Sequence, residues 1–121
     1  MAEYKLEITE FLEKSINCPV IDVRSPAEYA HGHIPGALNM PLFDNEERSI
    51  VGTLYLQKGS EEAMLKGLEL VGPKMKEFVK QAMDLAFHKE IVIYCWRGGM
   101  RSNSMAWLLT TSGIVSHTLD G

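Results

Sequence analysis

An α/β fold with a mainly parallel sheet is predicted by three observations. Helix-like and strand-like stretches alternate along the chain, and Glu90 to Tyr94 is a short, continuous β-branched and aromatic run. A glycine-containing loop follows that run, and beyond it an apolar stripe at helical spacing. The length of 121 residues suits one domain with a real core, and 45% hydrophobic with 23% charged residues excludes a disordered or collagen-like chain.

In chain order, Thr9 is placed to cap a short amphipathic helix carrying Phe11, Leu12 and Ile16. Pro19 to Val23 reads as a buried strand. Ser25-Pro26-Ala27-Glu28 combines an N-cap serine, proline at the first helical position and glutamate three residues after the cap, which is a strong helix start. Gly32 and Ile34-Pro35-Gly36 end that helix, and Ala37 to Met40 forms a short second strand before Pro41. From about 44 to 87 the pattern is helical and reads as helix packing. Asp44 or Asn45 caps the first piece, Gly59-Ser60 starts a second, and Gly72-Pro73 breaks or kinks the run. Met75, Phe78, Val79, Ala82, Met83 and Ala86 then keep a stripe. Five of the seven methionines fall between Met40 and Met100 and read as flexible core filler. After the Glu90 to Tyr94 strand, Asn103 to Thr111 is helical and Ile114 to Leu119 is the last strand.

Several function classes drop out. The apolar runs are far shorter than the roughly 18 to 20 residues of a membrane span, and the first residues lack the pattern of a secretory signal. A cytoplasmic protein with thiols at Cys18 and Cys95, and no disulfide scaffold, is expected. The formal charge of −4 opposes tight binding of a polyanion by this segment alone. Residues 1–88 hold nine Lys/Arg against fourteen Asp/Glu, whereas 89–121 hold three against two, and Arg97 and Arg101 flank one loop.

That loop carries the chemistry. A cysteine at the carboxyl end of a central strand lies where open α/β sheets bind ligands, and the following helix aims its N-terminal dipole there. Gly98 and Gly99 let several backbone N–H groups converge on one anion, and Arg97 and Arg101 add full positive charges. The loop can hold Cys95 as a thiolate, or hold a persulfide, a selenide or a tetrahedral oxyanion. Cys18, just before Pro19 at a strand entry, reads as structural. Asp22 and Arg24 flank a strand end and could contact and support the active loop, an ion pair that orders the strand end being favoured over a catalytic role. Of the two tryptophans, Trp96 reads as pocket lining. His31 and His33 read as a hydrogen-bonded helix end rather than a metal site, and no metal centre is expected.

Ile21-Asp22-Val23-Arg24-Ser25-Pro26-Ala27-Glu28-Tyr29 and Gly32-His33-Ile34-Pro35-Gly36-Ala37-Leu38-Asn39-Met40-Pro41 resemble the two N-terminal signatures of rhodanese-like domains. Cys95 stands where that family has its sulfur-carrying cysteine. The resemblance implies a rhodanese-like parallel sheet flanked by helices, with an enlarged helical segment at about 44–87. Five residues separate Cys95 from Arg101, a seven-residue loop against six in common single-domain sulfurtransferases, so a wider pocket is expected. Cys95-Trp96-Arg97-Gly98-Gly99-Met100-Arg101-Ser102, with Asn45-Glu46-Glu47-Arg48 and Val51-Gly52-Thr53-Leu54-Tyr55, is similar to the N-terminal rhodanese domain of the tRNA 2-selenouridine synthases.

That likeness implies replacement of sulfur by selenium at the wobble 2-thiouridine of tRNA, with selenophosphate as donor and a geranylated intermediate. Cys95 would handle the chalcogen. Trp96, Arg97, Gly98, Gly99, Met100 and Arg101 would form the anion- and substrate-binding loop, with no bound cofactor. Such synthases resemble a rhodanese domain joined to a P-loop domain, and no Gly-x-x-x-x-Gly-Lys-Ser/Thr stretch occurs here. Residues 1–121 therefore read as one rhodanese-like domain of a longer protein, with tRNA and geranyl diphosphate handled mostly elsewhere. Other readings compete. Cys-x5-Arg is also the loop of rhodanese-fold cysteine phosphatases and arsenate reductases, although Tyr94 stands where those typically show histidine. A stand-alone thiosulfate-type sulfurtransferase and a non-catalytic binding module complete the set.

Overall fold

The computed structural model describes residues 4–95 and 100–119. Five parallel strands form one sheet in the order β1-β5-β4-β2-β3: β1 Tyr4–Leu6, β2 Val20–Asp22, β3 Leu38–Asn39, β4 Glu90–Tyr94 and β5 Val115–Leu119. Helices α1 Ile8–Lys14, α2 Pro26–His31, α3 Asn45–Lys58, α4 Ser60–Val71, α5 Met75–Leu85 and α6 Met100–Thr111 connect them, with a 3-10 turn at Gly72–Lys74. The parallel α/β architecture and the enlarged helical segment are as the sequence predicts.

β4 is central because both of its faces are apolar. Ile91, Ile93 and Cys95 belong to the larger core with Ile21, Phe78, Met105 and Leu109, while Val92 and Tyr94 belong to a second core with Phe11, Val20 and Ala37. Alternate strand residues point to opposite faces, so the sheet is covered on both sides as a parallel sheet must be. Cys95 is thus in phase with the larger core.

Some elements differ from the expected ones. β1 has no counterpart in the sequence reading; it is a three-residue edge strand that exists by pairing with β5, Tyr4 beside His117. α1 starts at Ile8 with Glu7 as N-cap, whose N–H donates to Glu10 at 3.4 Å, so Thr9 lies inside the helix and does not cap it. Only Phe11 of the expected α1 stripe is buried, and Leu12 and Ile16 face solvent. α2 follows its predicted capping box: Ser25 accepts from the Glu28 N–H and the Glu28 carboxylate accepts from Ser25. Asp44 rather than Asn45 caps α3, accepting from the Glu47 N–H at 2.7 Å.

The reading of 44–87 as helix packing holds for α5 and less so for α3. α5 buries Phe78 and Ala82, whereas α3 buries nothing and exposes Tyr55 and Leu56. α4 comes close to Phe43 through Gly67, where an added Cβ would stand 3.3 Å from the ring. The methionines are not uniformly filler. Met40 and Met105 are buried, but Met64, Met83 and Met100 are exposed, Met83 against its place in the expected stripe. α6 begins at Met100, one turn earlier than the apolar pattern suggests, because its first turn is polar and its stripe starts later.

Candidate active site

The strand order reverses direction at β2 and β4: from β2 the chain goes to β3 on one side, and from β4 to β5 on the other. A crevice opens at the carboxyl ends of strands at such a point, where open α/β sheets bind ligands. Register pairs Asp22 with Tyr94, so the segments leaving β2 and β4 lie side by side. Cys95 is the first residue beyond β4, and α6 begins five residues later.

The Cys95 thiol is 6% exposed and donates to the Ser102 hydroxyl at 3.1 Å. The Ser102 N–H, in the first turn of α6, points back at Sγ from 3.4 Å. A helix N-terminus and a rotatable hydroxyl can both donate to a charged sulfur. In the sequence Ser102 only closes the Cys95 to Ser102 signature, with no role of its own. Its signal is its position seven residues after a strand-end cysteine, where the first helical turn meets the thiol.

Arg101 is held by Glu28 on α2. Its two terminal nitrogens donate to the two carboxylate oxygens at 2.7 and 3.3 Å, a fork-to-fork pair in which Arg101 is 14% and Glu28 31% exposed. Burial alone would raise the Glu28 pKa. Hydrogen bonds from Arg101 and Ser25, with the Arg101 charge, outweigh burial and pull it down to about 2. Arg48 of α3 adds a second cation, with Nε 3.8 Å from the same carboxylate oxygen that Arg101 grips. Neither Glu28 nor Arg48 stands out as a site residue in the sequence, where the capping box accounts for Glu28.

The expected support by Asp22 and Arg24 takes the form of a pair. Asp22 is fully buried and accepts from Nε and Nη2 of Arg24, the latter at 2.8 Å, while Arg24 also donates to the Gly32 carbonyl. The Tyr94 hydroxyl donates to Asp22 at 2.7 Å and accepts from the Ile34 N–H at 3.0 Å. Burial, joined by the Asp22 carboxylate, pushes the Tyr94 phenol up to about 12. This network fixes the end of β4 immediately before Cys95. Tyr94→Phe is expected to cost about 1–2 kcal/mol, because it takes one partner from a buried carboxylate. Urea unfolding checks this, and an unchanged midpoint would show the hydroxyl to be energetically idle.

Trp96, Arg97, Gly98 and Gly99, the expected walls of the loop, lie outside the described residues. Met100 is exposed at the start of α6 and borders an apolar groove of about 510 Å³, also lined by Leu42, Leu68, Val71, Met75 and Trp107. Trp107 therefore faces a groove and not the core. His33 bonds through Nδ1 to the Tyr29 carbonyl and stacks on the Tyr29 ring at 3.7 Å. Cys18, partly buried at the amino end of β2, lies at the opposite end of the strands from Cys95. Among the described residues no helix is long and apolar enough to cross a membrane.

A family model for the rhodanese-like domain matches residues 7–121. The chain is 42% identical over 105 residues to a tRNA 2-selenouridine synthase from Nitrosomonas europaea, covering 85% of this chain and 27% of that protein. It is 46% identical over 95 residues to one from Bdellovibrio bacteriovorus, covering 76% of this chain and 25% of that protein. The chain thus spans about a quarter of the length of the curated relatives it matches. Among solved structures, the N-terminal domain of a Clostridium difficile 630 protein described as ATP/GTP binding superposes with a TM-score of 0.84 at 42% identity, over 96% of this chain and 90% of that one. A rhodanese-related protein from Thermoplasma volcanium, 18% identical, shares the fold with a TM-score of 0.58 over 98% of this chain and 84% of that one.

Proposed function

The chain belongs to the rhodanese-like domain family, and from that premise we propose that it is the chalcogen-transferring domain of a tRNA 2-selenouridine synthase. The observation that carries this reading is the Cys95 thiol at the carboxyl end of the central strand, met by the N–H and hydroxyl of Ser102 at the start of α6. The 42% identity with a synthase supports the choice of that enzyme over other rhodaneses. In this reading Cys95 accepts or relays sulfur or selenium. Trp96, Arg97, Gly98, Gly99, Met100 and Arg101 form the loop that receives the donor anion, selenophosphate. Asp22 and Arg24 hold the strand end beneath it.

The overall reaction exchanges sulfur for selenium at the wobble 2-thiouridine of tRNA, a cytoplasmic substrate. We assign tRNA and geranyl diphosphate mainly to the part of the longer protein beyond the matched quarter, including a P-loop domain. The net charge of −4 supports that division, because a polyanion needs cations this segment does not supply in excess.

The test is mass spectrometry of the Cys95 peptide after incubation with thiosulfate and then selenophosphate. With thiosulfate, the Cys95 thiolate attacks the outer sulfur, the new S–S bond forms, and sulfite leaves with the electron pair of the bond that breaks. A mass gain of one sulfur is expected on this peptide with thiosulfate. On the peptide so loaded, the selenium of selenophosphate attacks the Cys95 sulfur, hydrosulfide leaves with the electron pair of the S–S bond and water takes the phosphoryl group as phosphate, so that one selenium replaces the added sulfur. Loading by thiosulfate without this exchange by selenophosphate points to a thiosulfate-type sulfurtransferase. Loading by neither, with turnover of an aryl phosphate, moves the assignment to the phosphatase class.

A further inference from the structure

The proposed function leaves unexplained why α3, which buries none of its residues, is held so firmly at its start. Lys74 pairs with Glu47 at 2.6 Å and donates to the Leu42 carbonyl, while Asp44 caps the helix. These contacts fix the turn that carries Arg48, and Arg48 is the residue α3 sends to the site. Its guanidinium lies over Gly52, where an added Cβ would stand 3.0 Å from Nη1. From there Nε is 3.8 Å from Glu28 Oε1, inside ion-pair range and beyond hydrogen-bond reach.

Glu28 therefore has one arginine bound and a second beside it. The fork consumes the charge of Arg101, the described cation six positions beyond Cys95. The fork uses two of the five N–H donors of Arg101 and offsets its charge, so for Arg101 to meet an incoming oxyanion with its full charge the fork must open. The partly buried carboxylate would then keep only its Ser25 hydrogen bonds and the looser Arg48 contact while facing another anion, which is costly.

We propose that Arg48 is a positioning residue for the loop: it takes over the Glu28 carboxylate when Arg101 turns from Glu28 to an oxyanion donor. The inference deepens the chalcogen-transfer reading and rests on its anion-binding loop. The Arg48 side chain is 42% exposed, so it has room to close the remaining ångström, and it needs no net change in charge around Glu28. The enlarged helical segment thereby gains a role in the site without touching the thiol.

The test compares alkylation of Cys95 by iodoacetate, an anion, with alkylation by the neutral iodoacetamide. It uses the full-length protein at low ionic strength and follows the Cys95 peptide by mass spectrometry. The ratio of the two rates reports how well the loop receives an anion and cancels changes in thiol exposure. Arg48→Ala is expected to lower that ratio about fivefold, with Arg48→Lys restoring most of it. In a Glu28→Gln background, where no carboxylate needs a replacement partner, Arg48→Ala is expected to change the ratio less than about twofold.

An unchanged ratio in Arg48→Ala overturns the proposal. So does an equal drop with and without Glu28, because Arg48 would then act on the anion directly. A loss of fold would expose the buried thiol and raise both rates together, and is separated by the Arg48→Lys protein. The alkylation ratio needs no chalcogen donor, so this inference and the chalcogen-transfer reading fail on different measurements.

Discussion

Cys95→Ser is expected to abolish chalcogen loading and to lower selenium incorporation into tRNA by the full-length protein by at least about a thousandfold, because a serine oxygen cannot form the chalcogen–chalcogen bond. The change is small in volume, and the Ser102 N–H and hydroxyl remain to bond the new oxygen. A buried apolar-facing thiol replaced by a hydroxyl is expected to cost about 1 kcal/mol of stability, so the protein should stay folded. Cys18→Ser is the matched control. Cys18 lies at the amino end of β2, and burial pushes its thiol up, with the Glu90 carboxylate adding to this, which works against the reactive thiolate. Its activity is expected within twofold of the parent, a change of roughly 0.4 kcal/mol. Selenation measured on tRNA decides the matter, and a Cys95→Ser protein that keeps its rate would remove Cys95 from the reaction.

The second large effect is on stability against acid. Glu28 titrates at about 2 in the folded chain, below its ordinary value of 4.5. A carboxylate with a depressed folded pKa contributes stability that is complete above the unfolded pKa and is lost as pH falls through the folded one. The window is therefore pH 4.5 down to about 2. Full linkage over that interval would amount to about 3 kcal/mol, but Glu28 is close to one-third exposed and solvent screens the pair. About 1–2 kcal/mol is expected. Glu28→Gln should be less stable than the parent by that amount at neutral pH, and the difference should shrink as both are taken to pH 2. Urea midpoints measured in parallel check this. Other carboxylates titrate equally in both proteins and cancel, so two parallel curves would mean that the Arg101 fork carries no net stability.

What the sequence made legible were the features written in neighbouring residues. The Glu90 to Tyr94 run is a strand because its β-branched residues are buried on both faces, and the Ser25 box starts α2 because all its partners lie within three positions. Strand, loop and helix around Cys95 could be read for the same reason. What escaped depends on contacts made across the fold. β1 is three residues of edge strand with no periodicity long enough to register, and only β5 gives it meaning. Glu28 looked fully used as a helix cap, yet the same carboxylate meets Arg101 73 positions away. Arg48 sits on a helix without a buried residue, so no apolar pattern marked it. Capping by Asp44 rather than Asn45 turned on which side chain reaches the Glu47 N–H, and Asn45 instead accepts from the Ala27 N–H.

Cys95 shares its side of the sheet with Ile91 and Ile93 and counts among the buried members of the larger core. The sulfur is thereby tied to the pleat of β4, and inserting or deleting one residue in that strand would send it to the Phe11 side and bring a neighbour into its place. Variation in this lineage is thus free to lengthen loops and add helices around the site, while the separation from Ile93 to Cys95 must stay an even number of positions. Parity along one strand is a stricter inheritance than any single contact the thiol makes.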